Sequence, residues 1–306
     1  MLIALLTLVI GCTADPNPRG SLTVAVNSTR GLSNMDMVTE YYTVDIRNLD
    51  RNISYDQARI EKNSGTLTMT VASGNTEVTV NAYNAGGTAI GTGKNNVNVI
   101  PNKDNTVSVT VNELKGSAKL NIEVDTTIKG VTFMAEVGKD LKDPSPKTVT
   151  LTADPTGKLK GSVNLDSGFY LVRIKDTEGN YYGKVESVRI FKGTDITYKA
   201  YVGEDKFDVK IEIENDIMAT PTVTISGGKA SYNAGESYSL TASSTGITTP
   251  TYQWFLDGNE IMDATGAAIT GKMENMTEGK HVITVMVKND SVLWTANHEF
   301  TFNPAN

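Results

Sequence analysis

The sequence predicts an all-β protein made of β-sandwich domains in tandem, and three observations carry that prediction. Apolar residues recur at every second position over most of the chain, the spacing that buries one face of a strand. No long stretch spaces them three and four apart, as an amphipathic helix would. The alternating runs are short and are punctuated by Gly, Asn and Asp, which is the pattern of sandwiches and barrels.

Taken from its start, the chain opens on an apolar run, Met1 to Gly11, too short to cross a bilayer and suited to the core of a signal peptide. It contains no Lys or Arg, the residues with which export signals usually begin. It ends Val9-Ile10-Gly11-Cys12, and Cys12 is the only cysteine among 306 residues. One thiol cannot form an intramolecular disulfide, and in an oxidising compartment an unused thiol is a liability. These four residues resemble the lipobox of bacterial lipoproteins, in which a small residue precedes a cysteine that becomes the lipidated N-terminus. The resemblance implies lipidation at Cys12 and a membrane partner through that lipid. Thr13 in place of Asp after the cysteine favours the outer membrane, with the protein facing the periplasm or the surface. Asp15-Pro16-Asn17-Pro18-Arg19-Gly20 then reads as a tether, residues 12–20, because two prolines and a glycine oppose a continuing strand.

Three related domains are expected after the tether, at 20–115, 116–204 and 205–306. The first carries the alternations Leu22, Val24, Val26; Tyr42, Val44, Ile46; Leu67, Met69, Val71; and Val107, Val109, Val111. In the second, Ala118, Leu120, Ile122, Val124 and Val131, Phe133, Ala135, Val137 are followed by Tyr170, Val172, Ile174 and Ile196, Tyr198, Ala200, Val202. A recurring unit links the domains: Ser73-Gly74, Ser167-Gly168 and Glu278-Gly279 each precede a strand, a turn and a returning strand. One helical turn is expected within residues 53–58 and another within 273–276, both as strand connections.

In the third domain, Tyr252-Gln253-Trp254-Phe255-Leu256-Asp257-Gly258 puts Tyr252, Trp254 and Leu256 on one face and ends in an Asp-Gly turn. This resembles strand C of immunoglobulin-like and PKD-like domains, whose core tryptophan packs between two sheets. The likeness implies a strand B through Tyr238, Leu240 and Ala242. It also implies a corner at Glu278 to Ile283, with His281 where a tyrosine often sits. The absence of a disulfide places it with the cysteine-free bacterial forms. The fold class is therefore tandem immunoglobulin-like or transthyretin-like sandwiches behind a lipoprotein signal. Lipobox and repeats together resemble surface lipoproteins of spirochaetes and Bacteroidetes.

Net charge is −7 and the basic residues are scattered, which excludes the basic stripe that nucleic acid requires. Two histidines, His281 and His298, lack the spacing of a zinc or hydrolase motif, and no Gly-x-Ser-x-Gly elbow occurs. Asp205, Asp208, Glu212 and Glu214 cluster, but Glu212 and Glu214 alternate with Ile211 and Ile213 as a solvated strand face does. Asp176-Thr177-Glu178-Gly179-Asn180 reads as a hairpin turn and not a calcium loop. The expectation is no catalysis, no cofactor and no metal.

Aromatic pairs are the better binding signal, since adjacent strand residues point to opposite faces. One of Tyr41 and Tyr42, and one of Phe169 and Tyr170, should leave the core. Tyr181 and Tyr182, which follow a turn, are the candidate ligand platform. Trp294 is read as core, and the sequons at Asn27, Asn52, Asn275 and Asn289 imply surface loops only where a glycosylating host is involved. The expected role is a surface binding or adhesion module for a host or cell-surface protein or glycan. The alternatives are a fimbria-like or spacer subunit and a glycan-capture accessory protein.

Overall fold

The computed structural model describes residues 17–28, 39–62, 64–139, 145–203, 209–214, 222–289 and 292–304. The lipobox, Cys12 and the acidic residues Asp205 and Asp208 lie outside them. Among the described residues the chain is all-β, with no helix. Both expected helical turns are absent. Residues 53–54 are a strand, and Asn275 turns the 273–276 connection with a φ of 59°.

Strands β1 to β8 form one compact unit, and all later strands form a second. The first contains β1 (Arg19–Ser28), β2 (Tyr41–Asn48), β3 (Ile53–Ser54), β4 (Ala58–Glu61), β5 (Thr66–Ala72), β6 (Gly74–Tyr83), β7 (Ala89–Val99) and β8 (Asp104–Glu113). They hydrogen-bond in the order β3-β2-β6-β7-β8-β1-β5, with β4 also on β2. Only Gly91–Glu113 and Thr92–Asn112 join β7 to β8, so the sheet turns there, and buried alternations line both parts: Val44, Ile46, Val78 and Val80 on one, Leu22, Val24, Val107 and Val109 on the other.

The second unit begins with β9 (Ser117–Thr126), β10 (Phe133–Gly138), β11 (Lys147–Thr150), β12 (Thr152–Ala153), β13 (Leu159–Asp166), β14 (Gly168–Asp176), β15 (Tyr181–Ile190), β16 (Ile196–Val202) and β17 (Val209–Glu214). These make two sheets, β11-β10-β14-β15 and β12-β13-β9-β16-β17, closed over a core that includes Leu120, Ile122, Phe133, Tyr170, Val172 and Tyr198. Strand β17 pairs with β16, so this sandwich extends past the expected edge at 204. Glu212 and Glu214 are exposed on it, while Ile211 and Ile213 pack on the core.

The remaining strands are β18 (Val223–Ser226), β19 (Ser231–Asn233), β20 (Ser237–Ser244), β21 (Thr251–Leu256), β22 (Asn259–Glu260), β23 (Ala268–Lys272), β24 (Gly279–Lys288) and β25 (Leu293–Asn303). Sheets β18-β20-β23 and β19-β25-β24-β21-β22 enclose Trp254, Leu240, Ile283, Val285 and Phe300. Trp254 is fully buried and its indole N–H donates to the Gly266 carbonyl at 2.9 Å. The Asp-Gly turn after β21 has φ of 52° and 78° at Asp257 and Gly258, the positive pair that a tight hairpin needs to match strand twist.

The recurring glycine has a backbone cause. Gly74, Gly168 and Gly279 each begin a closing hairpin with φ of 116°, 159° and 125°, values that side chains with a Cβ rarely adopt. In all three sets of strands an early strand also runs parallel beside a late one: β1 with β8, β9 with β16, β19 with β25.

The two sandwiches of the second unit share an interface. Leu171, Val185, Phe255, Met286 and Leu293 form a buried cluster, with Phe169 against it. Around the cluster, Glu186 accepts from Asn297 Nδ2 at 2.8 Å and Thr295 Oγ1 at 3.3 Å, and Lys184 pairs with Glu299. Arg173 Nη1 donates to the Gly258 carbonyl at 3.0 Å. Paired polar groups around an apolar centre describe a specific interface.

Candidate functional site

The Asp176 turn and the histidines flagged in the sequence are engaged by the fold. Asp176 is buried at the hairpin after β14, where burial alone would raise its pKa. Its carboxylate instead sits below the usual range because it accepts from the backbone N–H of Glu178 and Asn180, the Asn180 amide and the Tyr182 hydroxyl. Those bonds use the oxygens that a calcium ion would need. Tyr182 is half-buried, edge-on to Phe133 at 4.9 Å, and its pKa is pushed up to about 12 by burial and by the bond to Asp176. Tyr181 has the Arg173 guanidinium 4.3 Å over its ring and Gly258 against its edge. The two residues are brought together by sequence, but Tyr182 belongs to the core and Tyr181 to the interface.

The other aromatic pairs divide between faces as strand geometry demands. Tyr42 is buried, while Tyr41 stacks on Tyr83 at 5.0 Å beneath Arg59. Tyr170 enters the second core, and Phe169 leaves it only to pack against the next sandwich. Trp294 is half-buried against the third core. Of the sequons, Asn27, Asn52 and Asn275 are exposed, and Asn289 holds its turn through Thr248 and Val292.

His281 occupies the expected corner. Its Nδ1 lies 2.6 Å from Asp257 Oδ2 and its Nε2 lies 2.7 Å from the Thr277 carbonyl. With both nitrogens engaged and the ring buried, it has no nitrogen left to take a proton from a substrate. His298 Nε2 bonds the Lys229 carbonyl at 3.1 Å. No group of three His, Cys, Asp or Glu that could hold a metal occurs among the described residues.

Among the described residues, a cleft of about 570 Å³ opens where the two sandwiches of the second unit meet, a volume within the usual range for small-ligand sites. Phe169 and Arg189, paired across β14 and β15, form one wall with Lys139. Thr251 and Lys288, paired across β21 and β24, form the other with Thr249 and Asn289. The Arg189 guanidinium lies between the rings of Phe169 and Phe191, at 4.7 and 4.6 Å, which fixes the plane of its donors. Three cations and no carboxylate stand among the described lining residues. Sequence spacing gave no sign of this site, because its cations come from segments far apart in the chain.

The sequence matches no family model and no curated protein. Among solved structures it is similar to a candidate polysaccharide-binding protein from Bacteroides thetaiotaomicron, at 7% identity over 64% of this chain and 96% of that one, with a TM-score of 0.30. It is similar also to two proteins of Porphyromonas gingivalis. One is the tip fimbrial protein Mfa3 with a C-terminal truncation, at 9% identity over 64% and 99% of the two chains and a TM-score of 0.26. The other is the fimbrial anchor protein Mfa2, at 8% identity over 64% and 97% and a TM-score of 0.27. Nothing about ligand or assembly follows from likenesses this distant.

Proposed function

We propose that this chain is a non-enzymatic lipoprotein of the cell envelope, anchored through Cys12, whose second unit binds an acidic oligosaccharide in the cleft between its sandwiches. The cleft's lining supports the reading: Lys139, Arg189 and Lys288, each also held by other contacts of the fold, bring three cations to one opening, and the Thr249 and Thr251 hydroxyls, which donate to the Thr248 and Lys288 carbonyls, keep lone pairs that accept from a polyhydroxylated ligand. The packed interface behind it holds the two walls at a fixed separation, which limits the ordering cost of binding. The occupied nitrogens of His281 support a binding role over catalysis. The lipid on Cys12 rests on the apolar run before it and the proline-rich stretch after it.

Calorimetric titration of the full chain with hexuronate oligosaccharides and with neutral oligosaccharides of equal length tests the proposal. Only the acidic series is expected to bind, with affinity falling as salt rises, and Lys139→Glu with Lys288→Glu should weaken it at least ~10-fold. Equal binding of both series, or affinity unchanged by the double reversal, would remove this assignment. Inorganic sulfate run alone separates simple anion capture from sugar recognition.

A further inference from the structure

We infer that one end of the first unit is a lipid-contacting surface, and this rests on the anchoring of Cys12 proposed above. The described chain begins at that end and is fastened to it. Arg51 Nη1 donates to Asn17 Oδ1 at 3.0 Å, the Ser73 N–H to the Pro18 carbonyl at 2.8 Å and the Asn102 N–H to the Arg19 carbonyl at 2.8 Å. Only four residues separate Cys12 from Asn17, and the five Cα-to-Cα steps between them span at most about 18 Å when fully extended. A lipid on Cys12 therefore holds this end within that distance of the bilayer surface.

The same end carries apolar side chains that the fold does not use. The β2–β3, β5–β6 and β7–β8 connections all lie there, because β2 and β7 run toward it and β1, β6 and β8 run away from it. Leu49 and Ile100 lie in two of these connections and Ile53 opens β3, and they are 38%, 46% and 37% exposed. They are three of the five large hydrophobics exposed among the described residues. The opposite end, with the β6–β7 turn at Ala85 and the close of β8, has none of the five.

Charge at this end is mixed, with Arg19 and Lys103 near Asp50 and Asp104. The surface therefore meets the bilayer through aliphatic loop tips inserted among headgroups, where apolar area leaves water, more than through attraction to anionic lipid. The chain leaves the first unit at Glu113, at the other end of β8. Strands of ten residues span about 30 Å, which separates the two ends of the first unit by about that distance.

The test labels the full lipidated chain in bacterial membranes. Lipidation consumes Cys12, so an environment-sensitive fluorophore attaches only at a thiol introduced by Leu49→Cys, Ile100→Cys or, at the opposite end, Ala85→Cys. All three positions are exposed, so the substitutions leave the core intact. A quencher carried on the lipid is expected to dim the probes at 49 and 100 several-fold more than the probe at 85, with the same ordering in neutral and anionic vesicles. The mass of the N-terminal peptide is read from the same sample. Lipidated Cys12 with all three probes equally open to aqueous iodide overturns the lipid-contacting surface and leaves anchoring intact. Unmodified Cys12 overturns both.

Discussion

Trp254→Ala should cost the second unit about 4 kcal/mol, the largest effect expected of any single substitution in this chain. The side chain is fully buried between the two sheets of the last sandwich, so truncation leaves a cavity bounded by residues that β pairing holds apart. The Gly266 carbonyl also loses the donor it accepts from. Trp254→Phe retains most of the volume and should cost about half as much. Urea denaturation followed by far-UV circular dichroism reads both values, and a loss below ~1 kcal/mol for the alanine variant would remove Trp254 from its central place.

Glu136→Gln should cost about 3 kcal/mol and change how stability depends on pH. Glu136 on β10 is buried and pairs with both Arg173 and Lys175 of β14. Neutralising it leaves two cations facing each other with side chains only 12% and 20% exposed. Arg173 also bonds Gly258 and covers Tyr181, so the substitution loosens the link between the sandwiches as well. Burial by itself raises the pKa of Glu136, but Lys175 and Arg173 outweigh it and hold the carboxyl below its ordinary value of 4.5. A group lowered on folding stabilises fully above its unfolded pKa and loses that contribution as pH falls through the lower folded value. The wild-type chain should therefore lose stability as acid enters that window, and the Gln variant, already without the pair, should show a flatter acid limb. Parallel limbs would mean that Glu136 contributes nothing through its charge.

Much of this fold is legible in the sequence because a strand covered on one face writes its burial as alternation. Leu120, Ile122 and Val124, or Val107, Val109 and Val111, are buried as their spacing requires. The recurring glycines are legible because φ values of 116°, 159° and 125° leave few other choices. The corner at His281 is legible through its distance from Trp254, and its bond to Thr277, four residues upstream, explains how a histidine serves there.

The interface between the second and third sandwiches is different. Strands covered on both faces lose their alternation, and Val282 to Val287 does so, with every residue buried. That unbroken run was the available sign that a further layer lies over β24. The same interface places Tyr181 half-buried, with Arg173 over its ring and Gly258 beside it. The cleft left no trace in sequence because Lys139, Arg189 and Lys288 converge only once β10, β15 and β24 are assembled.

The proposed lipid on Cys12 would set both where the domains work and which end of the first unit meets the bilayer. Intact-peptide mass spectrometry of the protein extracted from membranes of a double-membraned bacterium expressing the full chain tests it most directly. The predicted result is an N-terminal peptide that begins at Cys12 and carries a diacylglyceryl group, with Cys12→Ser moving the protein to the soluble fraction. A peptide that still contains residues 1–11, or begins at Cys12 with a free thiol, would contradict it.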